Sequence, residues 1–469
     1  ALKTNGQVEA VGPTTTSPSV TSATTYSTPS MNGVEGVAWA YDLVRKHFVL
    51  AYAAYNNNYY LTVVVATSNT SGALTFGTPV VYSSAIGGVG VGTNDGEVVG
   101  LFKREDGYGY FFKFGCKVTG TSISTIAASS TATAGGYGVI SDVVYVGYDP
   151  STDKYVGMAK DSSSGQPFVV GMAANFDPAN APDMGTPINL TSYGANNAQS
   201  LQAVYDPDNQ KMVAFGGYDT GGGRNYRARA VTFGAGSSLT ITLGTELDIS
   251  SQTVKDLADV TYDESLNKFI CAYRSYSPSE TLWLAVVSLS GTSLSVGTPV
   301  QVTAFGTEER TVILYDKLAG ATFVTYLRSG SYPFTVAIVN VSGTTPSLGL
   351  SSTSTQTNLQ AIVYKYKGYD VENNISFVNG LISQQLRTLV INTGITQNFN
   401  NFIGITDAAI SSGASGSVTI KGGISSNVSS LTPNSNYYVQ TDGTLSTTTS
   451  TELAGRALSS TSINLDYTT

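Results

Sequence analysis

The sequence predicts an all-β protein built mainly from a seven-bladed β-propeller with four strands in each blade. A strand-like phrase that ends in Asp recurs along the chain, and successive Asp residues are 53 to 57 positions apart. Hydrophobic residues, 41% of the total, occur in short alternating runs, and only 12% of residues are charged. A repeat of about 50 residues that carries several short strands is typical of propellers. The seven residues are Asp42, Asp95, Asp149, Asp206, Asp263, Asp316 and Asp370.

The fifth repeat predicts the plan of one blade. Apolar runs separated by turn residues predict strands a to d at 260–263, 269–273, 282–287 and 293–302. These runs suit strands that are buried on both faces between neighbouring blades. Asp263 begins the turn between strands a and b, where its carboxylate is expected to accept hydrogen bonds from amides two or three residues later. We therefore predict that the seven Asp residues shape turns rather than bind metal or catalyse a reaction.

A Gly-Thr-Pro phrase recurs in strand d, at 77–79, 185–187 and 297–299, with Gly-Thr-Glu at 244–246 as a variant. Proline lacks an amide donor and is tolerated on an edge strand or at a strand end. This phrase therefore fits the outermost strand of a blade.

The seventh repeat lacks a convincing strand d of its own. Residues 1–24 are predicted to pair with the last blade, which would close the ring and remove exposed strand edges. The predicted propeller occupies 25–398, and residues 399–469 are predicted to form a small separate β domain. The chain starts with Ala1, as expected for a processed product or part of a longer polypeptide.

Net charge and hydrophobicity limit the possible partners, and the spacing of the two cysteines bears on whether they form a disulfide. The net charge is −8 and no cluster of Lys and Arg is present, so nucleic acid is not expected as a partner. No apolar run approaches the roughly 18 residues of a membrane helix, so membrane insertion is not expected either. Cys116 and Cys271 fall in well-separated repeats, which predicts two free, buried thiols.

Two parts of the chain resemble proteins of tailed bacteriophages, particularly those of marine and cyanobacterial hosts. Ser-Gly-Thr-Ser-Leu-Ser-Val-Gly-Thr-Pro-Val at 290–300 resembles a repeat of virion appendage proteins. Residues 402–405, 431–445 and 454–459 resemble a module that often ends such proteins. Together these resemblances cover nearly the whole chain. They imply a structural or host-contacting component of a tail or head fibre, oligomeric within the particle and in contact with other virion proteins. They imply no catalytic residue.

The sequence contains few residues in the arrangements that catalytic or metal-binding sites require. His47 is the only histidine, so a His-dependent triad and a zinc site with two His are excluded. It begins strand b of the first repeat, where we expect a solvated residue. Residues 206–209 are a weak match to a calcium loop, and the glycines at 221–223 are not followed by the Lys of a phosphate loop. We therefore expect no cofactor, no metal and no enzymatic activity.

Two alternatives remain open. The first is a polysaccharide-degrading depolymerase, with paired carboxylates supplied by different blades. The Asp-box phrase of sialidase-type propellers is absent, and the chain has only two Trp residues. The carboxylates near predicted loops that could supply such a pair are Glu35, Glu97, Glu105, Asp106, Asp219, Glu280, Glu308 and Glu309. The second alternative is a secreted or cell-surface adhesin.

The loops between strands b and c are the predicted binding surface. They should emerge on one face of the propeller, beside the connections from strand d to the next strand a. They are rich in Tyr, Asn and Arg, and Tyr offers a large contact area at a small entropic cost. A host surface glycan is the expected ligand. The predicted binding residues are Tyr55, Asn57, Tyr59, Arg104, Tyr108, Tyr218, Arg224, Tyr226, Arg274, Tyr276, Arg328 and Tyr332.

Overall fold

The computed structural model divides the chain into two compact units, Ser17–Thr393 and Ala1–Thr16 together with Gly394–Thr469. The described residues form strands and no helices, and so include no helix that could span a membrane. The structure describes residues 14–15, 17–20, 24–30, 36–54, 57–105, 111–130, 140–161, 164–174, 176–177, 179–191, 196–219, 224–250, 252–255, 258–276, 280–307, 311–317, 319–328, 334–354, 366–370, 372–373, 375–382, 385–392, 395–396, 404–408, 416–439, 444–448 and 453–465.

Three strands precede the first repeat in the sequence. They are β1 (Thr14–Thr15), β2 (Ser19–Val20) and β3 (Thr24–Ser30). Repeats one and two share a nine-stranded sheet of β4 (Val37–Asp42), β5 (His47–Ala54), β6 (Tyr60–Ser68), β7 (Leu74–Phe76), β8 (Val80–Asn94), β9 (Glu97–Arg104), β10 (Phe111–Thr119), β11 (Ser122–Ile123) and β12 (Ala127–Ser130). Repeat three is a sheet of β13 (Ile140–Asp149), β14 (Lys154–Asp161), β15 (Pro167–Ala173) and β16 (Ile188–Asn189).

The remaining four repeats each form a separate sheet. Repeat four contains β17 (Asn196–Asp206), β18 (Lys211–Asp219), β19 (Arg224–Phe233), β20 (Ile241–Leu243) and β21 (Leu247–Asp248). Repeat five contains β22 (Asp259–Asp263), β23 (Lys268–Arg274), β24 (Thr281–Ser290), β25 (Ser293–Val296) and β26 (Val300–Gly306). Repeat six contains β27 (Val312–Asp316), β28 (Ala321–Leu327), β29 (Phe334–Ser342) and β30 (Thr345–Ser354). Repeat seven contains β31 (Tyr366–Asp370), β32 (Ile375–Ile382) and β33 (Gln385–Asn392).

The four strands predicted for repeat five are confirmed, with strand d divided into β25 and β26. Both pieces pair antiparallel with β24. Gly297, between them, has no room for a side chain, because a Cβ there would lie 2.4 Å from the Thr344 carbonyl oxygen of the next repeat. The same approach of 2.4 to 2.6 Å recurs at Gly77, Gly185 and Gly244. The recurring glycine therefore marks a close contact between consecutive repeats.

The core lies between consecutive sheets. Phe215 of β18 packs with Phe269 of β23, with ring centroids 5.4 Å apart. Phe48 of β5 packs in the same way against Phe377 of β32, at 5.3 Å, so the first and last repeats share a core. The first strands contact one another in the order β4, β8, β13, β17, β22, β27, β31, and β31 also contacts β4.

The predicted turn role is confirmed for six of the seven Asp residues. In repeat five, Asp263 accepts hydrogen bonds from the amides of Ser265 and Leu266 at 3.0 and 3.1 Å. The corresponding bonds form at Asp42, Asp149, Asp206, Asp316 and Asp370.

Asp95 also lies in a turn, but it is not the first residue of that turn as predicted. Asn94 and Glu97 pair directly, so Asp95 and Gly96 are the central residues of a two-residue turn, both with positive φ. The Asp95 side chain lies 2.7 Å from the Arg45 guanidinium instead.

The second oxygen of several turn Asp residues reaches a neighbouring repeat. Asp263 Oδ2 accepts a hydrogen bond from the Thr322 hydroxyl at 2.7 Å, and Asp316 Oδ2 accepts one from Ser376 at 2.8 Å. Asp370 Oδ2 accepts a hydrogen bond from Ser68, and its Oδ1, which also accepts the turn amides, accepts one from Tyr41 at 2.9 Å; both donors are in repeat one. One residue type therefore shapes a turn and also joins adjacent repeats.

Strands from the N-terminal region complete the sheet of repeat seven. Val20 of β2 pairs with Ile391, and Thr24 of β3 pairs with Thr388, both antiparallel. Residues 1–13 lie outside the described part of the chain, and β1 belongs to the other unit.

The second unit is all-β as well. Its strands are β34 (Ile395–Thr396), which pairs with β1, followed by β35 (Gly404–Thr406), β36 (Val418–Ile420), β37 (Ile424–Ser425), β38 (Asn436–Val439), β39 (Leu445–Ser446), β40 (Leu453–Ser459) and β41 (Ser462–Leu465). Its small core consists of Leu431, Tyr437, Ala457, Ile463 and Leu465.

Both cysteines are free and buried, as predicted, and burial raises the pKa of Cys116 to about 12. The expectation of a solvated His47 is wrong, since this residue is only 4% exposed. It is the first residue of β5, a strand buried along nearly all of its length, and burial lowers the pKa of its imidazole.

Candidate functional site

The predicted binding residues lie in or beside the connections β5–β6, β9–β10, β18–β19, β23–β24 and β28–β29. Tyr55, Tyr108 and Tyr332 fall outside the described residues. Tyr218 is placed by its backbone in β18, before the connection begins.

Tyr226 is not a surface residue, contrary to the prediction. Strand β19 begins at Arg224, two residues before it, so Tyr226 is the third residue of a strand rather than part of a loop. Its side chain is fully buried and stacks on Phe215 with ring centroids 6.1 Å apart. Burial holds the pKa of its hydroxyl well above the usual value. It belongs to the core between repeats four and five.

Arg274 is also buried, with 2% of the residue exposed, so its predicted surface role is wrong. It is the last residue of β23. One guanidinium nitrogen, Nη1, donates to Glu280 Oε2 at 3.0 Å and to the Thr307 carbonyl oxygen at 2.7 Å. Arg274 therefore joins repeat five to the segment that leads into repeat six.

The connections of repeats four and five are joined through the segment 253–255. The amide of Val254 donates to the Arg224 carbonyl oxygen at 2.6 Å, and the Arg224 guanidinium donates to the carbonyl oxygen of Lys255. The amide of Lys255 donates to the Arg274 carbonyl oxygen at 2.9 Å. These contacts join the strand ends at Arg224 and Arg274 through one segment.

Glu280 and Thr307 continue this arrangement into repeat six. The amide of Thr307 donates to the Glu280 carbonyl oxygen at 2.9 Å, and Thr307 forms an isolated bridge with Arg328. The Glu280 carboxylate pairs with Lys255 and Arg274. The Lys255 hydrogen bond, followed by the positive charge of Arg274, holds the pKa of Glu280 below its usual value. We call Arg224, 253–255, 274–276, Glu280, Thr307 and Arg328 the loop lattice.

Two exposed side chains project from the loop lattice. Tyr276 is 64% exposed, while its amide donates to the Thr253 carbonyl oxygen at 2.6 Å. Arg328 is exposed and its guanidinium lies 4.6 Å from the centre of the Phe305 ring. The hydrogen-bonded backbone therefore holds the Tyr276 ring at the solvent-exposed surface, and the same lattice contains the exposed Arg328 guanidinium, which contacts the Phe305 ring.

The first two repeats have a smaller equivalent. Asn57 and Tyr59 are exposed, and the Tyr59 carbonyl oxygen accepts a hydrogen bond from the amide of Ile86 at 2.9 Å. The Arg104 guanidinium lies 5.3 Å from the centre of the Phe112 ring.

A charged cluster that was not predicted from the sequence lies on the first strands. Lys367 of β31 donates hydrogen bonds to Asp259 Oδ1 at 2.7 Å and to the carbonyl oxygens of Val260 and Ile313 at 2.5 and 2.6 Å. The same Asp259 oxygen accepts a bond from the Gln202 side chain at 2.7 Å. We call Gln202, Asp259 and Lys367 the inner polar cluster, which joins the first strands of repeats four, five, six and seven.

The inner polar cluster is saturated with hydrogen bonds. The three donor hydrogens of Lys367 match its three acceptors, and Asp259 Oδ2 accepts the amide of Ile313 at 2.8 Å. Burial lowers the pKa of Lys367, although the Asp259 charge opposes that effect. These bonds satisfy backbone groups on adjoining first strands, so the cluster is structural. One feature of the sequence could have indicated this cluster. Asp259 lies four residues before the turn residue Asp263, at the position that Ala38 and Val91 occupy in the first two repeats.

The carboxylates considered for glycoside hydrolysis have other partners where the structure describes their side chains. Glu97 lies 3.2 Å from Lys117, and Glu105 lies 2.8 Å from Lys103. Within the described ranges, no group of three His, Cys, Asp or Glu residues could hold a metal ion. Glu35, Asp106, Glu308 and Glu309 fall outside those ranges, as does the side chain of Asp219.

No family model matches the sequence, and no curated protein matches it either. Among solved structures, a protein assigned as a 6-phosphogluconolactonase of Bacteroides uniformis is 11% identical, with a TM-score of 0.45 over 67% of this chain and 84% of that one. A protein assigned as an oxidoreductase (glucose dehydrogenase) of Thermus thermophilus is 11% identical, with a TM-score of 0.37 over 79% of this chain and 100% of that one. At TM-scores below 0.5, these similarities support no inference about function.

Proposed function

We propose that the unit Ser17–Thr393 is a closed seven-bladed propeller. Two observations support closure. The first strands contact one another in sequence order, and β31 of the last repeat contacts β4 of the first. The Asp370 carboxylate also accepts hydrogen bonds from Ser68 and Tyr41 of the first repeat. A ring removes the exposed sheet edges that an open array would leave.

We further propose that the chain is a non-enzymatic component of a tailed phage virion that contacts the host from the particle surface. The observation that carries this proposal is the resemblance of residues 290–300, 402–405, 431–445 and 454–459 to virion appendage proteins. Other virion proteins and a host surface glycan are the proposed partners.

The chemistry of the described side chains supports a scaffold rather than a catalyst. Asp263 and Asp370 are occupied by turn amides and by hydroxyls of neighbouring repeats. Asp259 and Lys367 bond each other and backbone groups. Glu280, the accessible carboxylate of the loop lattice, is held between two cations. These carboxylates build the fold and position its loops.

Quantitative mass spectrometry of purified virions tests the proposal. We expect a fixed copy number in each particle, retained after density-gradient purification. Absence from particles together with recovery from the cell envelope would favour the adhesin alternative. Incubation of the purified chain with host capsule or lipopolysaccharide, followed by glycan sizing, tests the non-enzymatic part. Time-dependent shortening of the glycan that survives repurification of the chain would establish the depolymerase alternative.

A further inference from the structure

We propose that His47 makes the contact between repeats one and two sensitive to mild acid. Protonation of its imidazole places a charge inside this contact and weakens it in preference to the other contacts between repeats. This inference is independent of the proposed virion function, because it concerns one side chain and the groups packed around it.

The first argument is the position of the imidazole. His47 is the first residue of β5. Side chains alternate along a strand, and Val49, two residues later, packs in one core with Val98 and Val118 of repeat two. His47 therefore faces repeat two. Its Nε2 atom is buried and has no hydrogen-bond partner among the described residues.

Repeat three shows what a cation at this position requires. Lys154 is the first residue of β14 and is 5% exposed, much as His47 is in β5. Its ammonium donates to the carbonyl oxygens of Gly234 and Gly236 in repeat four, at 3.3 and 2.7 Å. The buried charge of Lys154 is therefore compensated by acceptors on the next repeat, whereas the structure provides none for a proton on Nε2 of His47.

The nearby carboxylate of Asp42 is already occupied. Its Oδ1 accepts the amides of Val44 and Arg45 at 3.0 and 2.9 Å. Its Oδ2 accepts the Gly96 amide at 2.7 Å and the Thr93 hydroxyl at 3.1 Å, both from repeat two. A carboxylate has about four lone-pair sites, so a protonated imidazole gains the charge of Asp42 at a distance but no hydrogen bond from it.

The other charged side chains beside this contact are paired with one another. Arg45, in the turn before β5, lies 2.7 Å from Asp95 of repeat two. Glu97 and Lys117 of repeat two lie 3.2 Å apart. The Lys117 ammonium is 5.9 Å from the centre of the Phe176 ring of repeat three, so this pair lies on the face of repeat two that is turned away from repeat one.

The effect of acid follows from the balance of these influences. Burial is the largest and lowers the pKa of His47 below its ordinary value of 6.5, against the opposing effects of the Asp42 charge and a hydrogen bond with the Arg45 backbone. The unfolded chain therefore binds the proton more tightly than the folded chain. The contribution of neutral His47 to stability is present above pH 6.5 and is lost as the pH falls towards and through the folded-state pKa.

The experiment is simplified because His47 is the only histidine of the chain, and histidine is the side chain whose ordinary pKa lies between pH 5 and 8. Urea unfolding of the intact chain is measured at pH 7.0 and 5.5. The equilibrium constant for unfolding of the parent should rise at least about threefold, and by no more than about tenfold for each pH unit, the limit for one proton. His47→Gln should abolish this rise. Lys154→Gln is the matched control and should retain it, because the ordinary pKa of lysine lies far above this range.

Two further measurements locate the effect. Hydrogen exchange at pH 5.5 should be faster in the parent than in His47→Gln for residues 42–48 and 93–98, and equal for residues 234–236 beside Lys154. Nuclear magnetic resonance of the parent with ¹³C-labelled histidine should give a single imidazole that titrates below pH 6.5, and this measurement needs no variant.

Three outcomes would overturn the inference: an imidazole that titrates at or above pH 6.5, the same pH dependence of unfolding in the parent and in His47→Gln, or faster exchange spread evenly over all repeats.

Discussion

Lys367 and Asp259 show how single residues join distant repeats. They are 108 positions apart, yet their side chains meet on the first strands and bond backbone groups of two repeats. Breaking a buried pair by removing one partner leaves an uncompensated charge, which is far more costly than removing both charges.

We therefore predict that Lys367→Met lowers the free energy of unfolding by about 3–5 kcal/mol. Lys367→Met combined with Asp259→Asn should lose less, because no unpaired charge remains and the Asn oxygen can still accept an amide. Urea unfolding monitored by circular dichroism measures both values. A double variant that loses as much stability as Lys367→Met, or more, would contradict this account of the inner polar cluster.

Asp370 makes the contact between the last and first repeats sensitive to acid. Burial alone would raise the pKa of its carboxyl group, but hydrogen bonds from Ser68, Asn373, Tyr41 and the Glu372 amide outweigh burial and lower it. A carboxyl group with a depressed pKa stabilises the fold above its unfolded pKa of about 3.9. That contribution is lost as the pH falls through the folded-state pKa.

Asp370→Asn should therefore be less stable than the parent at pH 7, and the difference should shrink as the pH falls below about 4. Unfolding free energies measured between pH 7 and pH 2 test this prediction. Asp95→Asn is the control, since Asp95 forms an exposed ion pair and such pairs contribute little. A difference for Asp370→Asn that stays constant down to pH 2 would exclude the proposed role of this carboxylate.

At the scale of the element, the outer strand of repeats one, four and five is divided at a glycine. Its glycine donates its amide to the neighbouring strand, as Gly297 does to Val286 at 2.9 Å. On its other side there is no space for a methyl group beside Thr344. The glycine of the Gly-Thr-Pro motif therefore meets two constraints: it pairs within its own sheet and it lies in close contact with the next sheet.

Gly297→Ala should lower stability by about 1–3 kcal/mol, because an added Cβ would overlap a backbone carbonyl oxygen that cannot move without the next sheet. Thr298→Ala, at the adjacent exposed position, should change stability by less than about 0.5 kcal/mol. The midpoints of urea unfolding compare the two variants. Equal stability of Gly297→Ala and the parent would show that the sheets are not in close contact there.

The strands could be predicted from sequence because alternation and turn residues are local signals, as the four segments of repeat five show. Asp95 was misassigned because its spacing fits the repeat while its turn is shorter, and spacing does not report turn type. The burial of Arg274 and Tyr226 could not be predicted because it depends on residues outside their own strands. Tyr226 packs in the core between repeats four and five, and Arg274 bonds Glu280 and Thr307. The inner polar cluster could not be assembled from sequence alone, because its partners come from different repeats.

At the scale of the molecule, the N-terminal strands β2 and β3 affect the stability of the unit Ser17–Thr393. Strands β2 and β3 cover the outer edge of β33 in repeat seven. Without them, Leu386 to Ile391 would have an unpaired edge, which invites fraying and association between chains. The two ends of the unit Ser17–Thr393 thus meet in one sheet.

Deleting residues 1–30 should lower the melting temperature of this unit by about 5 °C or more, since 1 kcal/mol corresponds to roughly 2–4 °C in a large domain. Deleting residues 1–16, which leaves β2 and β3 in place, should change it by less than about 2 °C. Differential scanning calorimetry resolves the two cases. Identical melting of the two truncated chains would show that β2 and β3 do not stabilise this unit.

The central claim, a closed seven-repeat ring that a virion presents to its host, is tested most directly by cryo-electron microscopy of the purified particle. The account predicts seven blades at the particle surface, with repeat seven against repeat one at Asp370 and with Tyr276 facing away from the particle. An open arc, a different number of blades, or a particle without this chain would contradict it.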